Sequence, residues 1–244
     1  MKNLLFIISL LFSAQTYCQN RNQVNFSIGS AIPLFNFQDK DVNSVESGYA
    51  KVGRTVRLSY SREIVKKVAF QLGFLGFTNR LDNTTKLEEF VSNYPTTKFA
   101  SIQTRAWRNN SLLFGISRKI QWFDGRFSIQ PKVQAGCSFT TRPGFFISTN
   151  IDDQIIPESE IASEAFSLAL MAGLSNSYSI NEKLNIFITV DYFSTNVNFD
   201  FKRYPSVDKN SIVEPENISY SQEIRLLMIS GGFSIIPRQI RTIS

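Results

Sequence analysis

The stretch Phe127-Ser128-Ile129-Gln130-Pro131-Lys132-Val133-Gln134-Ala135-Gly136-Cys137-Ser138-Phe139 alternates without a break. Phe127, Ile129, Val133, Ala135, Cys137 and Phe139 fall on one face, with Pro131 among them, and the polar residues and Gly136 fall on the other. A period of two held over this length describes a β-strand lying between an apolar and a polar environment. Similar stretches recur along the chain. A coarse reading gives eight strands, near Gln23–Pro33, Tyr49–Arg62, Lys67–Asn79, Phe99–Lys119, Arg126–Thr141, Glu164–Ser179, Leu184–Asn198 and Ile218–Ile236.

The connections between these strands sort into two kinds. Glu63–Lys66, Ile120–Gly125 and Ile180–Lys183 are short, and the second holds the turn pair Asp124-Gly125. Leu34–Gly48, Arg80–Lys98, Arg142–Ser163 and Phe199–Asn217 are long and polar. Strict alternation of short and long connections is the habit of transmembrane barrels, with short periplasmic turns and longer extracellular loops. An even strand count then leaves both termini on the short-turn, periplasmic side.

Apolar outward faces support an all-β fold, an eight-stranded antiparallel transmembrane β-barrel. They are Val52, Val56, Leu58 and Tyr60; Val68, Phe70, Leu72 and Phe74; Leu112, Phe114 and Ile116; Phe166, Leu168, Leu170, Ala172 and Leu174; and Ile186, Ile188, Val190 and Tyr192. Each set is long enough to cross an apolar band of about 25 Å. Tyr60, Trp122, Tyr178 and Tyr192 fall near strand ends, where amphipathic rings favour an interface. Two irregularities are expected. Pro131 cannot donate a ladder hydrogen bond. Leu226-Leu227-Met228-Ile229 does not alternate and precedes Gly231-Gly232, which suggests a bulge or a change of phase.

Residues 1–18 read as a signal peptide and 19–244 as the barrel domain. Lys2, the apolar run Leu4–Phe12 and the small polar residues after it have the layout of an export signal, too short to span a bilayer as a helix. Cleavage fits after Gln15 or after Cys18. A lipid anchor on Cys18 is the alternative, and Gln15, Thr16 and Tyr17 suit it badly. Loss of this segment removes one Lys and no acid, so the net charge falls from +6 to +5. Lys and Arg are dispersed rather than clustered with aromatics, which argues against nucleic acid as a partner. Cys137 would be the sole remaining cysteine, on the apolar face, and reads as a small hydrophobe.

Phe26-Ser27-Ile28-Gly29-Ser30, the run to Ile32-Pro33-Leu34 and Phe37, and Gly48-Tyr49-Ala50-Lys51-Val52-Gly53 together resemble the small outer-membrane β-barrel (porin-like) domain family of Gram-negative bacteria. In that family a first strand ends near a proline, and an aromatic loop and a Gly-aromatic-Ala-x-x-Gly entry to the second strand follow. The resemblance implies an outer-membrane location and a shape, and it transfers no catalytic residues. It also implies outer-membrane lipid and lipopolysaccharide around the barrel, and the barrel-assembly machinery during insertion.

The chain contains no histidine. That excludes a Ser-His-Asp triad, a Cys-His pair and histidine-based zinc sites. No cofactor motif is present, and the expected protein is not an enzyme. Asp152, Asp153, Glu158 and Glu160 form an acidic stretch in the third long loop, a candidate binding surface for cations or basic partners. If polar parity points inward, Arg57, Gln71, Gln130, Lys132, Gln134, Asp191, Glu223 and Arg225 meet in the lumen. An eight-stranded barrel is just wide enough to be filled by side chains, so this network is expected to be a structural plug. Binding, adhesion or a subunit role in an envelope complex then falls to the long loops. The alternatives are a narrow channel for small solutes, a histidine-free lipid-modifying barrel enzyme, and a soluble lipocalin-like barrel.

Overall fold

The computed structural model describes residues 22–40, 47–65, 67–92, 97–122, 125–151, 154–204 and 214–237. The expected signal segment and the acidic residues Asp152 and Asp153 lie outside the described residues. The elements are β1 (Asn22–Leu34), β2 (Gly53–Val65), β3 (Val68–Asn79), α1 (Asn83–Ser92), β4 (Thr97–Thr104) and β5 (Trp107–Arg118). They continue with β6 (Ile120–Trp122), β7 (Phe127–Arg142), β8 (Phe145–Ile151), β9 (Gln154–Glu160), β10 (Ser163–Ser179), β11 (Leu184–Tyr204) and β12 (Glu216–Ile235).

Eight antiparallel strands close into a ring in the order β1-β2-β3-β5-β7-β10-β11-β12, with β12 returning to β1. Closure abolishes the free edges that an open sheet would present. The outer face is apolar as the alternation requires. Val56, Leu58, Phe70, Phe74, Phe114, Ile116, Val133, Phe166, Leu168, Leu170, Ile188 and Val190 are all exposed. Arg54 and Arg62 bracket this belt on β2, and Arg108 and Arg118 bracket it on β5. The eight residue steps from Arg54 to Arg62 span about 26 Å along the strand, or about 20 Å across the layer at the usual strand tilt, close to the height of the apolar band of such barrels. Arginines at both margins can lay their stems on the belt and keep their charges in water. An exterior of this kind rules out the soluble barrel.

Three expectations need correction and a fourth is narrowed. The strand read as Phe99–Lys119 is divided, because β3 ends at Asn79, whose partner is Trp107, so no barrel neighbour remains for the residues before β5. Those residues form β4, which pairs with β8. The connections read as loops carry structure: α1 occupies one, and β8 and β9 pair as a hairpin in another. The second strand starts at Gly53 rather than Tyr49, and a Cβ on Gly53 would lie 1.9 Å from the Thr78 carbonyl oxygen. Finally, of the bulge or change of phase expected at Leu226–Gly232 only the second occurs: β12 holds one constant register against both β1 and β11, while its apolar residues pass from the outward to the inward face.

The irregularity at Pro131 does occur, on one side only. The β7–β10 ladder runs through the Leu174–Pro131 pair, whereas β7 loses its other neighbour after Lys132–Ser117 and regains it at Ile129–Ile120 in unchanged register. A residue without an N–H leaves nothing for the opposing strand to accept there.

Candidate functional site

The interior is divided by height. Toward the short-turn end the inward positions are Ser27, Ser59, Ser117, Ser128 and Thr189, with Gln71 and Gln134 above them. Toward the long-loop end Leu75, Phe77, Leu113, Met171, Phe193, Val197, Phe199, Ile224 and Leu226 are fully buried, and the polar side chains at that level, Asn109, Ser111, Ser138 and Thr140, satisfy one another by hydrogen bonds. A largely apolar plug therefore fills one half of the lumen and a polar chamber the other.

Three charged residues meet where the halves join. Arg57 (β2), Lys132 (β7) and Asp191 (β11) are 7%, 6% and 2% exposed, low enough that each depends on its partners rather than on water. Arg57 Nη1 donates to Asp191 Oδ2 at 3.0 Å, and Lys132 Nζ reaches Asp191 Oδ1 at 2.9 Å. Lys132 also donates to Thr189 Oγ1 at 2.9 Å and Ser175 Oγ at 3.3 Å. Arg57 Nη2 donates to Gln134 Oε1, and Gln134 Nε2 donates to Gln71 Oε1 at 3.3 Å. Gln130 stands apart and bonds Ser117 Oγ at 2.7 Å.

Gly173 makes the Lys132–Asp191 contact possible. It lies on β10 directly between them, paired with Lys132 on one side and Asp191 on the other. A Cβ there would sit 1.7 Å from Asp191 Oδ1. Gly173→Ala is therefore expected to push the carboxylate off both cations and cost about 1–3 kcal/mol, the usual range for overpacking. Denaturant midpoints of the folded barrel measure this, and an unchanged midpoint would mean the carboxylate sits elsewhere.

Glu223 and Arg225 are not part of this cluster. They face outward on β12 and pair with each other, and the Arg225 guanidinium lies 5.1 Å from the Phe35 ring centroid. Leu226 and Met228 take the inward positions instead. Polar parity failed here because the lumen is apolar at this height. Arg225 stands opposite Ser194 and two residues beyond Leu227, at the margin of the outer belt, so polar side chains point outward above it.

The long-loop end is capped. The connection after β1 turns inward through a 3-10 turn, Phe35–Phe37. Phe37 is fully buried, and its ring meets Trp107 edge-on at 5.3 Å. Trp107 packs edge-on against Phe199 at 5.9 Å and donates its indole N–H to the Gly48 carbonyl at 3.0 Å. Gly48 is required because a Cβ would approach the Phe37 carbonyl oxygen to 2.5 Å.

Asp82 ties the cap together. Its backbone N–H bonds the Tyr49 carbonyl at 2.7 Å, and its carboxylate pairs with Lys40 at 2.6 Å and Lys51 at 2.8 Å. It also precedes α1 as N-cap, with Thr85 N–H to Oδ1 at 3.4 Å. Burial opposes its ionisation, but the hydrogen bonds from Lys40, Lys51 and Thr85 prevail and hold the carboxyl well below the usual carboxylate range. A lowered folded-state value means the stabilisation is full above the unfolded value of about 4 and is lost as pH falls through the folded one. Asp82→Ala should cost about 1 kcal/mol at neutral pH, the value of a lost cap. The difference from wild type should vanish in strong acid. Thermal midpoints across pH measure both.

Arg142, at the top of β7, is buried among aromatics. Its guanidinium lies 3.8 Å from the Phe201 centroid, donates from Nε to Tyr220 at 3.0 Å, and pairs with Glu160. Glu160 is thus a neutralised partner rather than a free rim acid. Glu158 lies on β9 opposite Ile147. The hairpin β8–β9 is anchored by this pair and by the short β9–β11 ladder at Arg203 and Tyr204. None of these contacts was visible in a stretch read as loop.

No protein family and no curated protein matches the sequence. Solved structures do match. A major outer membrane protein from Thermus thermophilus is similar over 89% of this chain and 99% of its own, with 12% identity and a TM-score of 0.52. The fold is that of the small outer-membrane β-barrels. Neisserial surface protein A (11% identity, 89% and 97% covered, TM-score 0.41) and the attachment invasion locus protein Ail of Yersinia pestis (13%, 88% and 97%, 0.42) are also similar. Ring closure and an apolar outer belt make this chain an integral outer-membrane β-barrel.

Proposed function

We propose that this outer-membrane barrel is a closed, non-enzymatic scaffold that presents a binding platform at its long-loop end. The observation that carries the reading is the filled upper lumen. Phe37, Phe193 and Phe199 are 0% exposed and Trp107 is 3% exposed, which leaves no solute path through that half. Above this plug the chain has built defined structure, α1 and the sheet β4-β8-β9, rather than plain turns. A rigid barrel carrying ordered connections is the usual arrangement for recognition. On this reading the long-loop end faces the exterior and both termini lie in the periplasm.

The test is co-purification from detergent-solubilised outer membranes. Wild type should retain an envelope or surface component that is lost when residues 145–160 and 83–104 are replaced by short turns, while the trimmed barrel still folds. Identical companions for both barrels would move the function to the lumen or the short-turn rim.

A further inference from the structure

The buried charge cluster does not balance. Arg57 and Lys132 share one carboxylate, Asp191, and between the rims no other charged side chain points inward among the described residues. The interior therefore carries one unmatched positive charge among residues that are nearly inaccessible. An unpaired buried charge is costly unless a counter-charge meets it.

A cavity of about 30 Å³ lies beside the two cations on the short-turn side. Both Arg57 and Lys132 line it, and Asp191 does not. The rest of its wall is neutral and includes the hydroxyls of Ser27 and Ser59. Ser59 Oγ accepts from Asn25 Nδ2 at 3.2 Å, so its own hydrogen is free to turn into the cavity. The volume suits one or two waters or a single monatomic ion, and it is too small for a sugar or an organic acid.

We propose that this chamber is an anion site, holding a chloride-sized monovalent anion beside Arg57 and Lys132, the lysine contributing charge rather than a donor because its three N–H groups already serve Asp191, Thr189 and Ser175. The anion completes the charge balance of the lumen from the side that Asp191 does not reach. Hydroxyl and amide donors take the place of its hydration shell. The site is reached from the short-turn rim, past Gln23 and Ser177, because the opposite end is closed by aromatic packing.

The experiment uses the full folded barrel in detergent, at fixed ionic strength and pH, in sodium chloride against sodium gluconate. The chloride form should show a saturable rise in the heat-unfolding midpoint of about 3 °C, and gluconate, too large to enter, should give none. Lys132→Gln removes the excess charge and should abolish the response. Ser175→Asp supplies a built-in anion, so it should raise the midpoint in gluconate and leave no chloride response. Equal wild-type midpoints in the two salts, or a chloride response undiminished in both variants, would overturn the proposal. If neither variant folds, the chloride NMR line width decides: excess broadening by folded wild type that disappears on unfolding supports the site, and equal widths reject it.

Discussion

Asp191→Asn is expected to be the most damaging polar substitution in the barrel. It leaves Arg57 and Lys132 facing each other across a nearly dry lumen with no carboxylate between them. Breaking a buried pair by removing one partner costs about 3–5 kcal/mol, and here two cations lose the same partner. The heat-unfolding midpoint should fall by roughly 10 °C for a domain of this size, and folding yield should fall with it. Lys132→Gln should be milder, because it leaves Arg57 and Asp191 paired and neutral. The ranking matters more than either value. An Asp191→Asn barrel as stable as wild type would show that the three side chains are solvated and independent.

Trp107→Ala should cost a similar amount for an apolar reason. Trp107 bridges Phe37 and Phe199 and holds the Gly48 carbonyl, so its loss leaves a cavity and cuts the tie between the first long connection and β5. Large aromatic truncations in cores cost about 3–5 kcal/mol. The chain's other tryptophan, Trp122, is 54% exposed on the outer face and serves as the control, since its truncation opens no internal cavity. Equal effects at the two positions in urea titrations would contradict a packed cap.

The membrane belt was legible in the sequence because both solvents keep their sides for the length of the hydrocarbon layer. Outward positions on β3 and β7 are apolar between the margins, and on β10 Asn176 is the single polar one between Phe166 and Tyr178, so a parity count located them. The same count put Arg57, Lys132 and Asp191 on the lumenal faces of three non-adjacent strands. It failed on β12, where the lumen is itself apolar. There the pattern inverts: Phe233 and Ile235 face out at the lower end, and Ile224, Leu226 and Met228 face in at the upper end. β11 inverts at the same level, from outward Ile186–Tyr192 to inward Phe193–Phe201, with Asn196, Asn198 and Asp200 now outside. That coordinated inversion marks where the wall leaves the membrane while the plug continues. It was present in the sequence, and polarity read as a sign of the lumen concealed it.

The cap was less legible for a different reason. α1 begins at Asp82-Asn83 and continues through Lys86-Leu87-Glu88, a capping residue followed by helix formers, but it is short and polar. β4, β8 and β9 pair mainly with one another, so no barrel-long alternation announces them. Their positions depend on tertiary anchors, the Arg142–Glu160 pair and the Asp82 cluster, which join residues far apart in the chain.

Single-molecule conductance of the purified barrel in planar lipid bilayers tests the central claim most directly, since the same preparation can be shown by heat-dependent gel mobility to be folded. A lumen closed by Phe37, Trp107, Phe193 and Phe199 predicts a baseline without discrete steps in either chloride or gluconate, and Trp107→Ala as the variant in which steps would first emerge. Stable, ohmic openings from the wild-type barrel would contradict the account and make the protein a channel.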